Sequence, residues 1–335
     1  MPRRFHASVA LAAALACACA CGSRERERLT VGAVALPGPG LFFIADAQGY
    51  FTARGVQVVQ RRFSSGRDAL AALGRGEVDA AIAFETPVVL SASVDPDLDV
   101  LTTLHTSTRS TRIVARVDRG ILRDADLVGK RVGVPRNTNA ESFLHAVLQY
   151  AGVSPGSLRL VDVAPEESAE RLAAGELDAV AIWPPHAERA RRLLGEENAV
   201  EIATDVYTET SMVVTREPVL VRRRAALVKL VRALADAEAL VRERPEQAFE
   251  ALARALPDVP RPDLREAWGR VRPTLGVSHL LAHVLENEWR WLRDEGRLTG
   301  PLDLRSLLDA DVLAEVDPEA VTFVLPQPQP PAERR

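Results

Sequence analysis

One pattern occurs twice in this chain, and a duplication of this kind restricts the fold more than any composition. Residues 71–84 align with residues 170–183 when Gly76-Glu77 is laid on Gly175-Glu176, which pairs Leu73 with Leu172, Val78 with Leu177 and Asp79 with Asp178. Each copy reads as the end of an amphipathic helix, a Gly suited to a left-handed C-cap, a Glu-x-Asp turn and an apolar strand. Upstream, Val31-Gly32-Ala33-Val34 before Pro37 resembles Val132-Gly133-Val134 before Pro135. Both are strands of small and β-branched residues stopped by a proline. A helix over roughly 41–54 closing at Gly55 follows the first, and one over roughly 140–151 closing at Gly152 follows the second. Each half then reads β-α-β-α-β, and right-handed crossovers make its sheet mainly parallel. The fold class is α/β with two similar lobes, since a unit this long present only twice argues against a solenoid.

A chain of 335 residues with 47% hydrophobic content can fill two cores. The net charge of −4 gives no basic footprint, so nucleic acid is not expected as a partner. Residues 1–21 read as an export signal: Arg3 and Arg4, an apolar stretch from Val9 to Ala20 too short to anchor as a span, then small residues before a cut. The three cysteines, Cys17, Cys19 and Cys21, all lie at its end, so the mature chain is expected to carry no internal disulfide. Cys21, ahead of Gly22-Ser23 and a charged run to Arg28, resembles the lipidated cysteine of bacterial lipoproteins. Ala18 stands where Leu is usual, which keeps open lipidation at Cys17 or Cys19 and ordinary cleavage without lipid. Residues 22–28 read as a linker.

Beyond the second copy the pattern changes. Val213-Val214 reads as a strand, and apolar positions from Leu227 to Leu240 fall at helical spacing within roughly 222–244. Helices are expected at roughly 246–255, 263–271 and 278–295, with Pro257, Pro260, Pro262 and Pro273 between them. The Pro- and Gln-rich stretch 325–335 reads as a disordered tail.

Five segments in order carry a resemblance. They are Phe42-Phe43-Ile44-Ala45-Asp46-Ala47-Gln48-Gly49-Tyr50-Phe51, Phe63-Ser64-Ser65-Gly66, Gly76-Glu77-Val78-Asp79-Ala80, Leu127 to Val134, and Ile182-Trp183-Pro184-Pro185-His186. Together they resemble the solute-binding proteins of ABC importers, in the branch that includes sulfonate, taurine, nitrate and thiamine-pyrimidine binders. The resemblance implies a periplasmic-binding-protein fold of type II, with a small molecule held between lobes that close by a hinge. It places lobe one at residues 29–112 plus 208–324 and lobe two at 113–207. It further implies a monomer without cofactor, served by an ABC permease and ATPase and held at the membrane by its lipid.

In open α/β sheets a ligand sits beyond the carboxyl ends of the strands, where helices present unpaired N–H groups. That rule selects Pro37 and Gly38, then Ser64 and Ser65, then Glu85 and Thr86 after the third strand. In lobe two it selects Asn137, Thr138 and Asn139, and also Trp183 and His186. Ser64 and Ser65 suit either an oxyanion or a plain N-cap. Trp183 suits either a stacking platform opposite Phe84 or the core, and Asn137 to Asn139 suit either a ligand or a helix cap. The crossover Thr108 to Thr111 and the return Thr208 to Ser211 are polar hinge segments able to donate to a ligand.

No catalytic or metal residues are expected. His279 and His283 stand four apart, but the Glu adjacent to the first His of a hydrolytic zinc helix is missing. No Gly-x-Ser-x-Gly elbow or mature Cys accompanies His186, and the two lysines, Lys130 and Lys229, lie away from the strand ends that form a cleft. An enzyme on the same fold, of the pyrimidine- or menaquinone-pathway kind, and a ligand sensor remain the alternatives to import.

Overall fold

The computed structural model describes residues 27–323, so the signal, Cys21 and the tail lie outside the described residues. Eleven strands are described: β1 (Glu27–Ala33), β2 (Val56–Arg62), β3 (Ala80–Phe84), β4 (Leu98–Ser107), β5 (Arg112–Arg116), β6 (Arg131–Val134), β7 (Arg159–Asp162), β8 (Ala179–Ile182), β9 (Ala199–Ile202), β10 (Glu209–Arg216) and β11 (Arg272–Pro273). They form two sheets, ordered β11-β4-β10-β3-β1-β2 and β7-β6-β8-β5-β9. In the first, β1 runs parallel to β2 and β3, and β10 returns antiparallel between β3 and β4. In the second, β6 runs parallel to β7 and β8, and β5 lies antiparallel between β8 and β9. The chain passes between sheets twice, from β4 to β5 and from β9 to β10. This is the α/β periplasmic-binding-protein fold with two lobes.

The duplicated turn has the same geometry in both lobes. Gly76 and Gly175 take φ of 70° and 75°, the left-handed conformation that ends each helix without a Cβ penalty. Asp79 N donates to Thr30 O at 2.7 Å while its Oδ2 accepts from Thr30 N at 2.8 Å. Asp178 N donates to Arg131 O at 2.9 Å while its Oδ2 accepts from Arg131 N at 2.8 Å. Each aspartate thus docks its turn onto the first strand of its own half with both main chain and side chain. The matching acids are architectural.

Two expectations change in detail. The helix after β1 is two helices, Gly40–Ala47 and Tyr50–Ala53, parted by Gly49 at φ 71°. The long C-terminal helix spans Glu217–Glu243 and bends where Arg223 leaves helical geometry at φ −127°. It covers the first sheet together with the helices Gly40–Ala47 and Pro245–Ala255, and the helix His279–Asp294 packs on Glu85–Ala92.

Each lobe has its own apolar core, and the second core reaches across the seam. Val34, Leu36 and Phe84, from strand ends of the first sheet, pack in one cluster with Ile182 and Trp183 of the second. The carboxyl ends of the two sheets therefore face each other, as sites in this architecture require.

Candidate functional site

Ser64, Ser65 and Thr138 meet at one cavity of about 320 Å³, bounded on one side by Arg67 and Asp68 and on the other by Pro135, Arg136 and residues 162–166. Two helices begin at this place. Ser65 caps Gly66–Gly74 by accepting from Asp68 N at 3.2 Å, and Thr138 precedes Asn139–Tyr150 with its hydroxyl on Pro135 O at 2.7 Å. Gly66 is required here, because a Cβ would stand 2.9 Å from Ala83 Cα. Arg67 Nη1 donates across the seam to Arg136 O at 2.9 Å. The walls carry Arg67 and Arg136 against Asp68, Asp162 and Glu166, so this is a mixed polar cavity and not a purely cationic one.

A second group forms where the chain crosses between lobes. Glu209 is buried, and its Oε2 accepts from Thr111 N at 3.2 Å and from Thr111 Oγ1 at 2.5 Å. Asn139 Nδ2 reaches Thr111 Oγ1 at 3.1 Å, which ties the second-lobe helix to both crossing segments. On the other side His105 shares a hydrogen bond of 2.6 Å between Nδ1 and Ser211 Oγ, with Nε2 3.4 Å from Glu209 Oε1. Pro37 and Gly38 are buried above it. A Cβ on Gly38 would lie 2.7 Å from His105 Cε1, and one on Gly40 would lie 2.3 Å from Trp268 Cζ3. Gly38 was expected to admit a ligand; the group that each of these two glycines admits is an aromatic ring of the same lobe.

Ser211, His105 and Glu209 repeat the order of nucleophile, base and orienting acid. Ser211 and His105 are each 0% exposed, however, and the Gly38 backbone covers the ring, so no acyl group reaches Oγ in this geometry. The trio works as the hydrogen-bonded pin of the crossing.

Glu85 and Thr86 fill a third group. Glu85 is fully buried; its carboxylate accepts from Thr210 N at 2.8 Å and from the Tyr207 hydroxyl. Thr86 Oγ1 donates to Glu288 Oε2 at 2.9 Å and lies 3.0 Å from Ser142 Oγ, which itself donates to the same Glu288 oxygen at 2.6 Å. Burial, and then the charge of Glu288, push Glu85 well above the usual carboxylate range. Burial lifts Glu288 to about 7. Both oxygens of Glu85 are taken by protein, which differs from its expected role at a ligand.

Trp183 is 5% exposed and packs in the shared apolar cluster, with His186 edge-on at 6.4 Å. Burial holds the His186 imidazole below its ordinary value. Of the two roles open to Trp183, stacking platform or core, this geometry has its ring in the core. The neighbouring Arg112 is a charged residue on an apolar strand: fully buried, it pairs with Glu188 through Nη2 while Nε stands 3.4 Å from Glu201. Asn137 takes φ 61° and receives Arg297 of the first lobe on its Oδ1. His105, Arg112, Ser142, Tyr207, Glu209 and Glu288 were not foreseen as site residues. Arg112 carried a signal, a charge beside Ile113-Val114-Ala115, and Glu209 lay within the polar return segment.

A family model described as NMT1/THI5 like matches residues 40–248, more than half of the chain. The chain belongs to the NMT1/THI5-like family. Among curated relatives, a putative binding protein of Brucella abortus is 25% identical over 224 residues, covering 65% of this chain and 68% of that protein. The taurine-binding periplasmic protein of Escherichia coli is 28% identical over 143 residues, 42% of this chain and 44% of that protein. Among solved structures, the aliphatic sulphonate binding protein SsuA of Escherichia coli has a TM-score of 0.71 at 21% identity, covering 83% of this chain and 96% of that one. The alkanesulfonate-binding SsuA of Xanthomonas axonopodis bound to MOPS has a TM-score of 0.72 at 18% identity, covering 85% and 99%. The desulfurization enzyme DSZB has a TM-score of 0.64 at 17% identity, covering 87% and 99%. At these identities the structures share the fold, and the fold hosts both a binder and an enzyme.

Proposed function

We propose that this NMT1/THI5-like chain is the exported, periplasmic solute-capturing component of an ABC import system. It encloses a small organic or anionic solute between two lobes that close on it, and delivers it to a permease and ATPase. The lobes are residues 29–112 with 208–324, and residues 113–207. A lipid on Cys21 tethers the protein to the membrane in this reading, as a monomer.

The observation that carries the reading is the cavity at Ser64, Ser65 and Thr138. It has walls from both lobes and a volume of about 320 Å³, the size of a few-carbon solute. Two helix N-termini, Ser64 and the guanidinium groups of Arg67 and Arg136 supply donors for an anionic end, and Asp162 or Glu166 supplies an acceptor for an amine. Relatives named for taurine and for aliphatic sulfonates support the same class of solute.

A thermal-shift screen against taurine, alkanesulfonates, MOPS, nitrate, pyrimidines and amino acids tests it. A solute at a hundredfold its Kd should stabilise the folded chain by about 2.7 kcal/mol, and Ser64→Ala with Thr138→Ala should reduce that shift. No shift with any class, repeated by equilibrium dialysis, would overturn the proposal. The fold shared with DSZB favours a second reading as an enzyme, checked by incubating the best hit with the protein. A solute recovered with unchanged mass keeps the binding reading; a product would replace it.

A further inference from the structure

Another cavity of the seam, of about 610 Å³, shares no wall residue with the one at Ser64. It lies between the helix Asn139–Tyr150 of the second lobe and the helix His279–Asp294 of the first, and the crossing adds Tyr207 and Thr208. Val206, Leu280, Val284 and Trp291 give it an apolar wall. Its charges are unequal. Glu288, Asp294 and Glu295 stand against a single arginine, Arg290, which already donates to Asn287 Oδ1 at 2.7 Å. Of the two histidines on the wall, His145 is held below its ordinary value by burial. Such a lining disfavours an anion and favours a cation.

Glu288 is the decisive wall residue. It is 5% exposed, and a carboxylate so buried is ordinarily paired with a cation. Glu188 has Arg112, and Glu141 has Arg136 at 2.9 Å and Arg297 at 3.2 Å. Glu288 forms no ion pair with any described residue; Arg297, whose charge is felt there, is held by Glu141 and by Asn137. The hydrogen bonds from Thr86 at 2.9 Å and Ser142 at 2.6 Å both fall on Oε2. Tyr207 stands beside the carboxylate, but a phenol has one proton and that proton goes to Glu85. Oε1 is therefore a charged oxygen on a cavity wall with no donor of its own. Burial lifts Glu288 to about 7, and a cation at Oε1 would offset that cost.

We infer that this cavity is a binding site for a linear polyamine, with one ammonium group donating to Glu288 Oε1, the alkyl chain lying along Val284 and Trp291, and a second ammonium group at Asp294 and Glu295. An ammonium group has three donors and no acceptor, which suits an oxygen that lacks a donor. Glu288 and Glu295 are seven positions apart on one helical face, two turns or about 10.5 Å, so a chain of several methylenes joins them. Among the described residues no three acid or imidazole groups come together as metal ligands, which favours an organic cation over a bare ion. Asp294 and Glu295 are exposed, so the rim contributes less than Glu288. The site does not depend on which solute the cavity at Ser64 takes.

Calorimetric titration of the full chain with spermidine tests it, at roughly pH 8 and in about 0.15 M salt, where the amines are charged, the carboxyls ionised and loose attraction to the acidic surface screened. One spermidine per chain is expected, with butylamine weaker and butanol silent. Glu288→Gln keeps an acceptor for Thr86 and Ser142 and removes the charge, so it should weaken spermidine by about tenfold or more. Its unliganded thermal midpoint should equal or exceed that of the wild type, because a buried charge without a partner is removed. Glu295→Gln at the rim should weaken spermidine by about two- to threefold. Ala146→Trp fills the cavity from the opposite wall without touching Glu288 and should block spermidine. No binding to the wild type, several spermidines bound loosely per chain, or a Glu288→Gln variant with a lower midpoint and unchanged spermidine affinity would overturn the inference. None of these outcomes bears on the solute screen, which reads the walls at Ser64 and Thr138.

Discussion

Trp183 is the largest side chain at the end of β8, and it packs with Phe84, Val34 and Leu36, three residues of the other lobe. Removing a buried aromatic loses its transfer energy and leaves a cavity. Trp183→Ala is expected to destabilise the solute-free chain by about 3–5 kcal/mol, read as a lower urea midpoint with an unchanged slope. An unchanged midpoint with loss of solute binding would return the ring to the cleft wall. Arg112 and Glu188 offer a contrasting case, because breaking one side of a buried pair strands a charge. Glu188→Ala should cost about 3–5 kcal/mol, whereas Arg112→Met with Glu188→Leu should be close to neutral, measured by the same unfolding curves. Strand alternation and strand-end position were enough to place Trp183, Ser65 and Thr138 at the seam. They do not tell which way each side chain is spent. Glu85 bonds Tyr207 and Thr210, more than a hundred positions away, and that pairing depends on how the lobes meet.

At the scale of elements, the repeated helix-turn-strand was legible because its determinants are local: a left-handed Gly and an aspartate that serves its own turn. The helix ends after β1 were less so, since Gly49 breaks a continuous apolar run that reads as one helix. The aspartate supports a test. The Arg131 guanidinium, foremost, holds the Asp178 carboxyl below the usual carboxylate range. A depressed folded value means that ionised Asp178 stabilises the fold above its unfolded pKa and that this contribution fades as pH falls through the folded one. Asp178→Asn should therefore lose about 1–3 kcal/mol at neutral pH and show a shallower loss of stability on acidification than the wild type. Parallel denaturation curves at every pH would show that the turn is held by its main-chain bonds alone.

For the whole molecule, the outer seam is fastened by charge. Arg191 meets Glu266 at 3.1 Å, Arg192 meets Asp263, and Arg270 lies 3.8 Å from Glu201, so that the helices Arg261–Gly269 and His186–Leu194 bridge the lobes. These side chains are partly exposed, and each such pair contributes about 0.2–1 kcal/mol. Three together amount to roughly 1–2 kcal/mol, which is about a tenfold bias toward the closed arrangement of the proposed function. Exposed pairs are screened as the Debye length falls from about 10 Å at 0.1 M salt to about 3 Å at 1 M, whereas the buried Glu209 pin at the crossing is not. Solute affinity should then fall several-fold between low and molar salt, while the Glu209 hydrogen bonds keep the crossing in register. Exchanging the charges of one bridge tests the cause. Arg192→Asp alone faces Asp263 with a like charge and should weaken binding in low salt; adding Asp263→Arg should restore both the affinity and its salt dependence, followed by titration calorimetry with the best solute. A double variant that stays as weak as the single one would show that Arg192 acts within its own lobe and that the bridge does not bias closure.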